Sequence, residues 1–233
     1  MQLFNDVDAV PVYTLHRSRR RTIAIHVQAH GVEVRAPLKA SKRDIDAFVQ
    51  HKKNWIQGKL IELQQKSTEV LALVDGHAIS VMGEVLILQW QVSSRVRICR
   101  EHDRLLVEGP ALDTLQVQQL FLRWLLKEAD RALLPLARAV IDDLGLQVRF
   151  SGFSLRYTRS LWGRCSAAGN ILFNPLILLA PPRVIAYLVA HEVCHLRHMN
   201  HAPVFWQLVA QVCPDWQECR HWLRQHGHRL RVK

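Results

Sequence analysis

The segment that most limits what this chain can become is a single helix-forming run near its C-terminal end. Pro181 and Pro182 open it, RVIAYLVAHEVCHLRH follows from Arg183 to His198, and Asn200 closes it. Proline suits the first helical turn, where its missing N–H is no loss, and asparagine is a natural left-handed residue to end a helix. Val189 and Leu196 are among the apolar positions that can bury the run. Glu192 then stands as a lone carboxylate in an apolar stretch, a costly place for a charge without a partner.

Within the run, His191-Glu192-Val193-Cys194-His195 sets two imidazoles four residues apart. On an α-helix such positions lie ~40° apart around the axis and ~6 Å along it. Both rings can therefore share one ion at nitrogen distances near ~2.1 Å, which suits Zn2+. Glu192 adjoins the first ligand and reaches a water on such an ion rather than the ion itself, the geometry a general base needs. Five residues are few enough to arise by chance in a chain with 13 histidines. The mid-helix position, the apolar run before it, the stop after it and a further histidine at a suitable distance favour a metal. His201 ranks first as third ligand, because a turn at Asn200 folds it back toward the ion. His198 is only ~20° from His191 around the helix but a turn further along, and reads as a supporting or solvent histidine. Glu218 ranks third.

Upstream, strand-length apolar or alternating pieces occur at residues 13–16, 22–27 and 32–35, with Gly31 marking a turn between the last two. Ser41 reads as an N-cap, with Asp44 three residues on, opening a helix to about Gln65. Gly83-Glu84 joins two short strands, residues 78–82 and 85–90, into a hairpin, and residues 95–99 and 105–107 continue the β pattern. Gly109-Pro110 ends this β-rich module, placing the domain boundary at 112/113. A long helix then runs from Asp113 to Leu144, with Pro135 expected to kink or divide it and Gly145 to end it. Residues 148–157 and 171–173 read as strands, with Gly163 and Gly169-Asn170 as turn signals.

The motif helix and its surroundings resemble one family. HEVCHLRHMNHAPVFW from His191 to Trp206, VCPDW from Val212 to Trp216, and the upstream block WGRCS (Trp162 to Ser166) with GNILFN (Gly169 to Asn174) are similar to the YgjP-like metallopeptidases, zincin-fold proteins related to the SprT-like proteases. Residues Arg19 to Ile25 and Phe48 to Ile56 extend the likeness over nearly the whole chain. The resemblance implies a zinc peptidase in which the histidine before a small residue and a phenylalanine, here His201 with Phe205, is the third ligand. It also implies that Arg164 occupies a place where serine is usual, beside the substrate rim.

The reading is an α+β protein: residues 113–233 a zincin-like catalytic domain with an HExxH helix, residues 1–112 a small β-rich module preceding it. His191, His195 and His201 hold zinc, and Glu192 activates water to cleave a peptide or protein substrate lying along the strand before Gly169. Tyr157 and Arg156 are candidate donors to an oxyanion, while Cys165, Cys194, Trp162, Phe205, Trp206 and Trp216 read as core around the site. The net charge of +11 points to an acidic partner, nucleic acid or nucleotide, on a basic surface. Between residues 144 and 214 stand six arginines and one carboxylate, Glu192. That imbalance motivates a second reading, a nucleoside triphosphate pyrophosphatase, although a Gly-rich phosphate loop and carboxylates for magnesium are lacking. A third is a nucleic-acid-associated protein with a structural metal, against which the open three-ligand site argues. Five scattered cysteines, an acidic start and no apolar run near ~20 residues point to a reduced, cytoplasmic setting without a membrane span.

Overall fold

Alternating burial of Val32, Val34 and Ala36 makes β3 (Gly31–Pro37) the middle strand of a three-stranded sheet. The computed structural model describes residues 11–28, 31–68 and 71–232. β1 (Thr14–Ser18) runs parallel to β3 and β2 (Ala24–Gln28) antiparallel, giving the order β1-β3-β2. The turn expected just before Gly31 involves residues 29–30, outside those described. Ser41 does cap the next helix, its hydroxyl accepting from the Asp44 N–H at 3.1 Å. The expected single helix is two, α1 (Lys42–His51) and α2 (Lys53–Thr68). At Lys52 one N–H is shared between the carbonyls of Phe48 and Val49, which tightens the turn and interrupts the α pattern. Ile45, Val49 and Ile56 close over the sheet as a core of their own.

The chain divides into two compact units, Met1–Glu69 and Val70–Lys233. The second contains β4 (Ala78–Val81), β5 (Glu84–Val92), β6 (Arg97–Glu101) and β7 (Arg104–Gly109) in the order β4-β5-β7-β6. These strands were expected on the N-terminal side of a boundary at 112/113. Their inward residues Leu86, Leu88, Leu105 and Val107 instead share one core with everything that follows. The β4–β5 turn has Met82 at φ 53° and Gly83 at φ 85°, the two left-handed residues that a tight hairpin with right-twisted strands requires. A Cβ on Gly83 would come within 2.9 Å of Pro182, so this turn lies against the start of the motif helix.

α3 (Thr114–Asp143) opens on a capping box between Asp113 and Gln116. Pro135 sits inside it without dividing it, and Gly145 at φ 63° follows its end. Residues 148–157 form less strand than expected: a 3-10 turn, Gln147–Arg149, precedes β8 (Gly152–Leu155). β9 (Gly163–Cys165) and β10 (Asn170–Phe173) complete a sheet of order β8-β10-β9, β8 parallel and β9 antiparallel to β10. A 3-10 segment, Pro175–Leu179, leads into α4 (Pro182–Cys194), followed by α5 (Pro203–Val212) and α6 (Trp216–His226). Phe121, Leu125 and Leu133 of α3, Phe173 of β10, Val184 and Val193 of α4 and Phe205 of α5 are fully buried together. The architecture is α+β, with helices and small sheets around this core. Among the described residues no helix is long and apolar enough to cross a membrane.

Candidate active site

α4 carries His191 and Glu192 but stops at Cys194, with His195 as its cap at φ −64° and ψ −21°. It does not reach Asn200 as expected. The N–H groups of Leu196 and Arg197 bond the carbonyls of Val193 and Cys194, three residues back, at 2.9 and 3.1 Å, so the last turn is drawn in. Two arginines hold the chain there: Arg149 donates to the Leu196 carbonyl and Arg197 to that of Leu144, each at 3.3 Å. Asn200 is not left-handed either, since among the described non-glycine residues only Met82 and His102 have positive φ. Its side-chain oxygen accepts from the Ala202 N–H at 3.3 Å, a local turn made by the side chain immediately around His201.

His201 Nε2 lies 3.2 Å from His191 Nε2. Ligand atoms of His191, His195 and His201 all lie within 4.8 Å of one another. Two nitrogens bound at ~2.0–2.1 Å to a tetrahedral ion stand ~3.3 Å apart, so this spacing fits a divalent metal. His195 Nδ1–H donates to the His198 carbonyl at 2.9 Å. A carbonyl can only accept, so Nδ1 carries the proton and Nε2 keeps its lone pair. His198 thus contributes through its backbone, which the early end of α4 turns back toward the ring. Burial, with the neighbouring His195 and His201, pulls the His191 imidazole down to about 3. Burial also lowers His195. Both rings stay neutral near pH 7, the form that binds metal. The Phe205 ring packs against His191, His195 and His201 at centroid distances of 5.0, 4.5 and 4.9 Å. Trp206 stacks on His201 and donates its Nε1–H to the His201 carbonyl at 3.1 Å. Glu218, the third alternative, pairs with Arg183 at 3.2 Å and is absent from this cluster.

Glu192 is 5% exposed. Its side chain lies against β9 so closely that a Cβ on Gly163 would stand 2.6 Å from both its Cγ and its Oε1. The Cys165 N–H donates to the carboxylate, but burial outweighs that bond and raises the carboxyl to about 8. A carboxyl held near neutrality beside three imidazoles can take up and return a proton at physiological pH. Gly163 was expected at a turn; it is a strand residue, and a glycine inside a strand marks just such a close approach. β9 is the outer strand of its sheet, bonded to β10 on one side, and Arg164 projects from it into solvent.

Other expected participants fall elsewhere. The Tyr157 hydroxyl donates to the Leu122 carbonyl, which gives it a structural role. Cys165 and Cys194 are buried, and burial pushes their thiols up to about 11 and about 12, so neither is a thiolate nucleophile. All six arginines in this region, Arg156, Arg159 and Arg164 included, are exposed, but Arg149 and Arg197 donate to carbonyls and Arg183 pairs with Glu218. Part of the segment's surface charge is therefore engaged by groups of the chain itself.

The sequence profile of the family described as YgjP-like, metallopeptidase domain, matches residues 21–226. No curated protein matches the chain. Among solved structures, the chain is similar to the metallopeptidase zymogen of Pyrococcus abyssi abylysin, at 24% identity over 43% of this chain and 99% of that chain, with a TM-score of 0.38. So partial a likeness carries no argument about mechanism.

Proposed function

The chain belongs to the YgjP-like metallopeptidase family, and on that premise we propose that it is a zinc-dependent, zincin-like peptidase with His191, His195 and His201 as ligands and Glu192 as the acid–base group. The observation that carries the reading is the convergence of three imidazoles, with a buried carboxyl next in sequence to the first of them that packs against an outer strand. When bound, zinc supplies Lewis acidity toward water and the scissile carbonyl. Glu192 takes one proton from water as the water oxygen bonds to the carbonyl carbon. The C–N bond then breaks, and Glu192 returns the proton to the departing amine. The outer edge of β9 offers main-chain groups to an extended peptide, a few ångströms from the Glu192 carboxylate that touches the same strand.

Peptide or protein substrates follow from the family, and nothing in the comparison supports a nucleic-acid partner. The test is turnover of a peptide library and a nucleotide panel by one zinc-loaded preparation. Peptide cleavage that chelation abolishes and zinc restores is the expected result. Nucleotide hydrolysis with every peptide left intact would overturn the reading.

A further inference from the structure

A second donor set lies where α5 meets α6, apart from the histidine triad. Cys213 is the C-cap of α5, Asp215 the N-cap residue of α6, and Cys219 sits in the first turns of α6. Cys213 Sγ is 3.2 Å from Asp215 Oδ1 and Cys219 Sγ is 3.5 Å from Asp215 Oδ2. One ligand atom from each residue lies within 4.8 Å of the others. A tetrahedral ion with bonds of ~2.3 Å to sulfur and ~2.0 Å to oxygen separates its ligands by ~3.5–3.8 Å, the scale found here.

The placement of Asp215 supports a ligand role. An aspartate at an N-cap ordinarily accepts from the free N–H groups of its own helix, yet Asp215 makes no such capping bond. Its carboxylate is turned to two thiols, which are weak donors. Cys213 and Cys219 are buried, while Asp215 is exposed. A groove of ≈ 360 Å³ reaches the cluster between α3 and α4, lined in part by Val140, Ala186, Cys213 and Asp215. It gives an ion access to Cys213 and Asp215.

We propose that Cys213, Asp215 and Cys219 form a second metal site, for a borderline-soft divalent cation of the zinc, cobalt and cadmium class. Two thiolates select that class over magnesium or calcium. Binding releases the two thiol protons to solvent and forms two metal–sulfur bonds and one metal–oxygen bond. The ion joins the end of α5 to the start of α6. Trp216, the next residue after Asp215, stacks on Trp206 at 4.2 Å, and Trp206 stacks on His201 at 5.4 Å. The ion therefore braces the aromatic stack behind His201 and has a structural role.

The test is cobalt(II) titration of the reduced, metal-free full chain, followed by absorbance and by elemental analysis. Thiolate–cobalt charge transfer absorbs in the near ultraviolet, and a site of imidazoles alone does not produce it. Wild type is expected to bind two ions per chain and to show the thiolate band. Cys213→Ser and Cys219→Ser should each lose the band and one ion, and Asp215→Asn, which keeps both thiols, should weaken that ion at least ~10-fold. His191→Ala/His195→Ala should lose the other ion and keep the band, which separates this site from the peptidase reading. A folded wild type that binds one ion without the band, or a band that persists in Cys213→Ser, overturns the proposal.

Discussion

Gly163→Ala tests whether the backbone of β9 sets the position of Glu192. The added methyl would stand 2.6 Å from Glu192 Cγ and Oε1 and 2.8 Å from Cδ. Ordinary carbon contacts are ~3.5–4.0 Å, so the glutamate has to yield by roughly 1 Å. It has little room, being 5% exposed, and the Cys165 N–H tethers its carboxylate. A shift of ~1 Å in a reacting group costs on the order of 10²-fold, inside the ~10²–10⁴-fold that general acid–base catalysis supplies. The alanine variant should therefore lose about 10²-fold in kcat for a fluorogenic peptide, with KM and bound zinc near those of wild type and an unchanged circular dichroism spectrum. Because the methyl acts through Glu192, adding it to Glu192→Gln should cost little more. Full kcat in Gly163→Ala, or an equal further loss in the Glu192→Gln background, would refute the reasoning.

Glu192→Gln alone should keep its fold and its zinc, measured by elemental analysis, while losing ~10²–10⁴-fold in turnover. His201→Ala should weaken zinc by more than ~10²-fold against a competing chelator, since it removes a ligand where loss of a mere supporting partner already costs ~10–100-fold. His198→Ala should leave affinity nearly unchanged, because the bond from His195 goes to the His198 backbone carbonyl, which alanine retains. In chelator-stripped protein, the Glu192 carboxyl at about 8 keeps its proton where the unfolded chain, with its ordinary value of 4.5, has lost it. The folded state binds more protons through that interval, so this contribution weakens as pH rises. His191, lowered from 6.5 to about 3, acts in the opposite direction but only below 6.5. Between pH 6.5 and 8 metal-free stability should thus fall by at most ~1.4 kcal/mol per pH unit, and denaturant titrations of Glu192→Gln should show that slope removed.

The aromatic residues show how local pattern and tertiary role diverge. Phe205 and Trp206 read as apolar core, and so they are, yet they are also the surfaces on which the three imidazoles rest. Hydrophobicity reveals that such residues are buried and not which rings they meet. Arg149 and Arg197 read as surface charge available to an anion. They are spent instead on carbonyls 47 and 53 residues away, partners that no spacing rule can identify.

What the sequence determined by itself is whatever rests on short-range helical geometry. His191 and His195 share a face because residues four apart on a helix must. Pro181-Pro182, Ser41 and Asp113 mark helix starts because capping is a matter of adjacent atoms. The tertiary structure decided the rest, for reasons of long-range contact. α4 ends at Cys194 and not near Asn200, where, just past that end, the Arg149 side chain from the turn before β8 donates to the Leu196 carbonyl and the Arg197 side chain donates to the Leu144 carbonyl at the end of α3. The four strands between residues 78 and 109 share a core with α3 and α4 because their apolar face has that partner in space, whatever Gly109-Pro110 suggests along the chain. Glu192 is buried and raised to about 8 because a strand 29 residues upstream brings a glycine against it, and the environment that tunes a carboxylate is assembled only when the chain has folded.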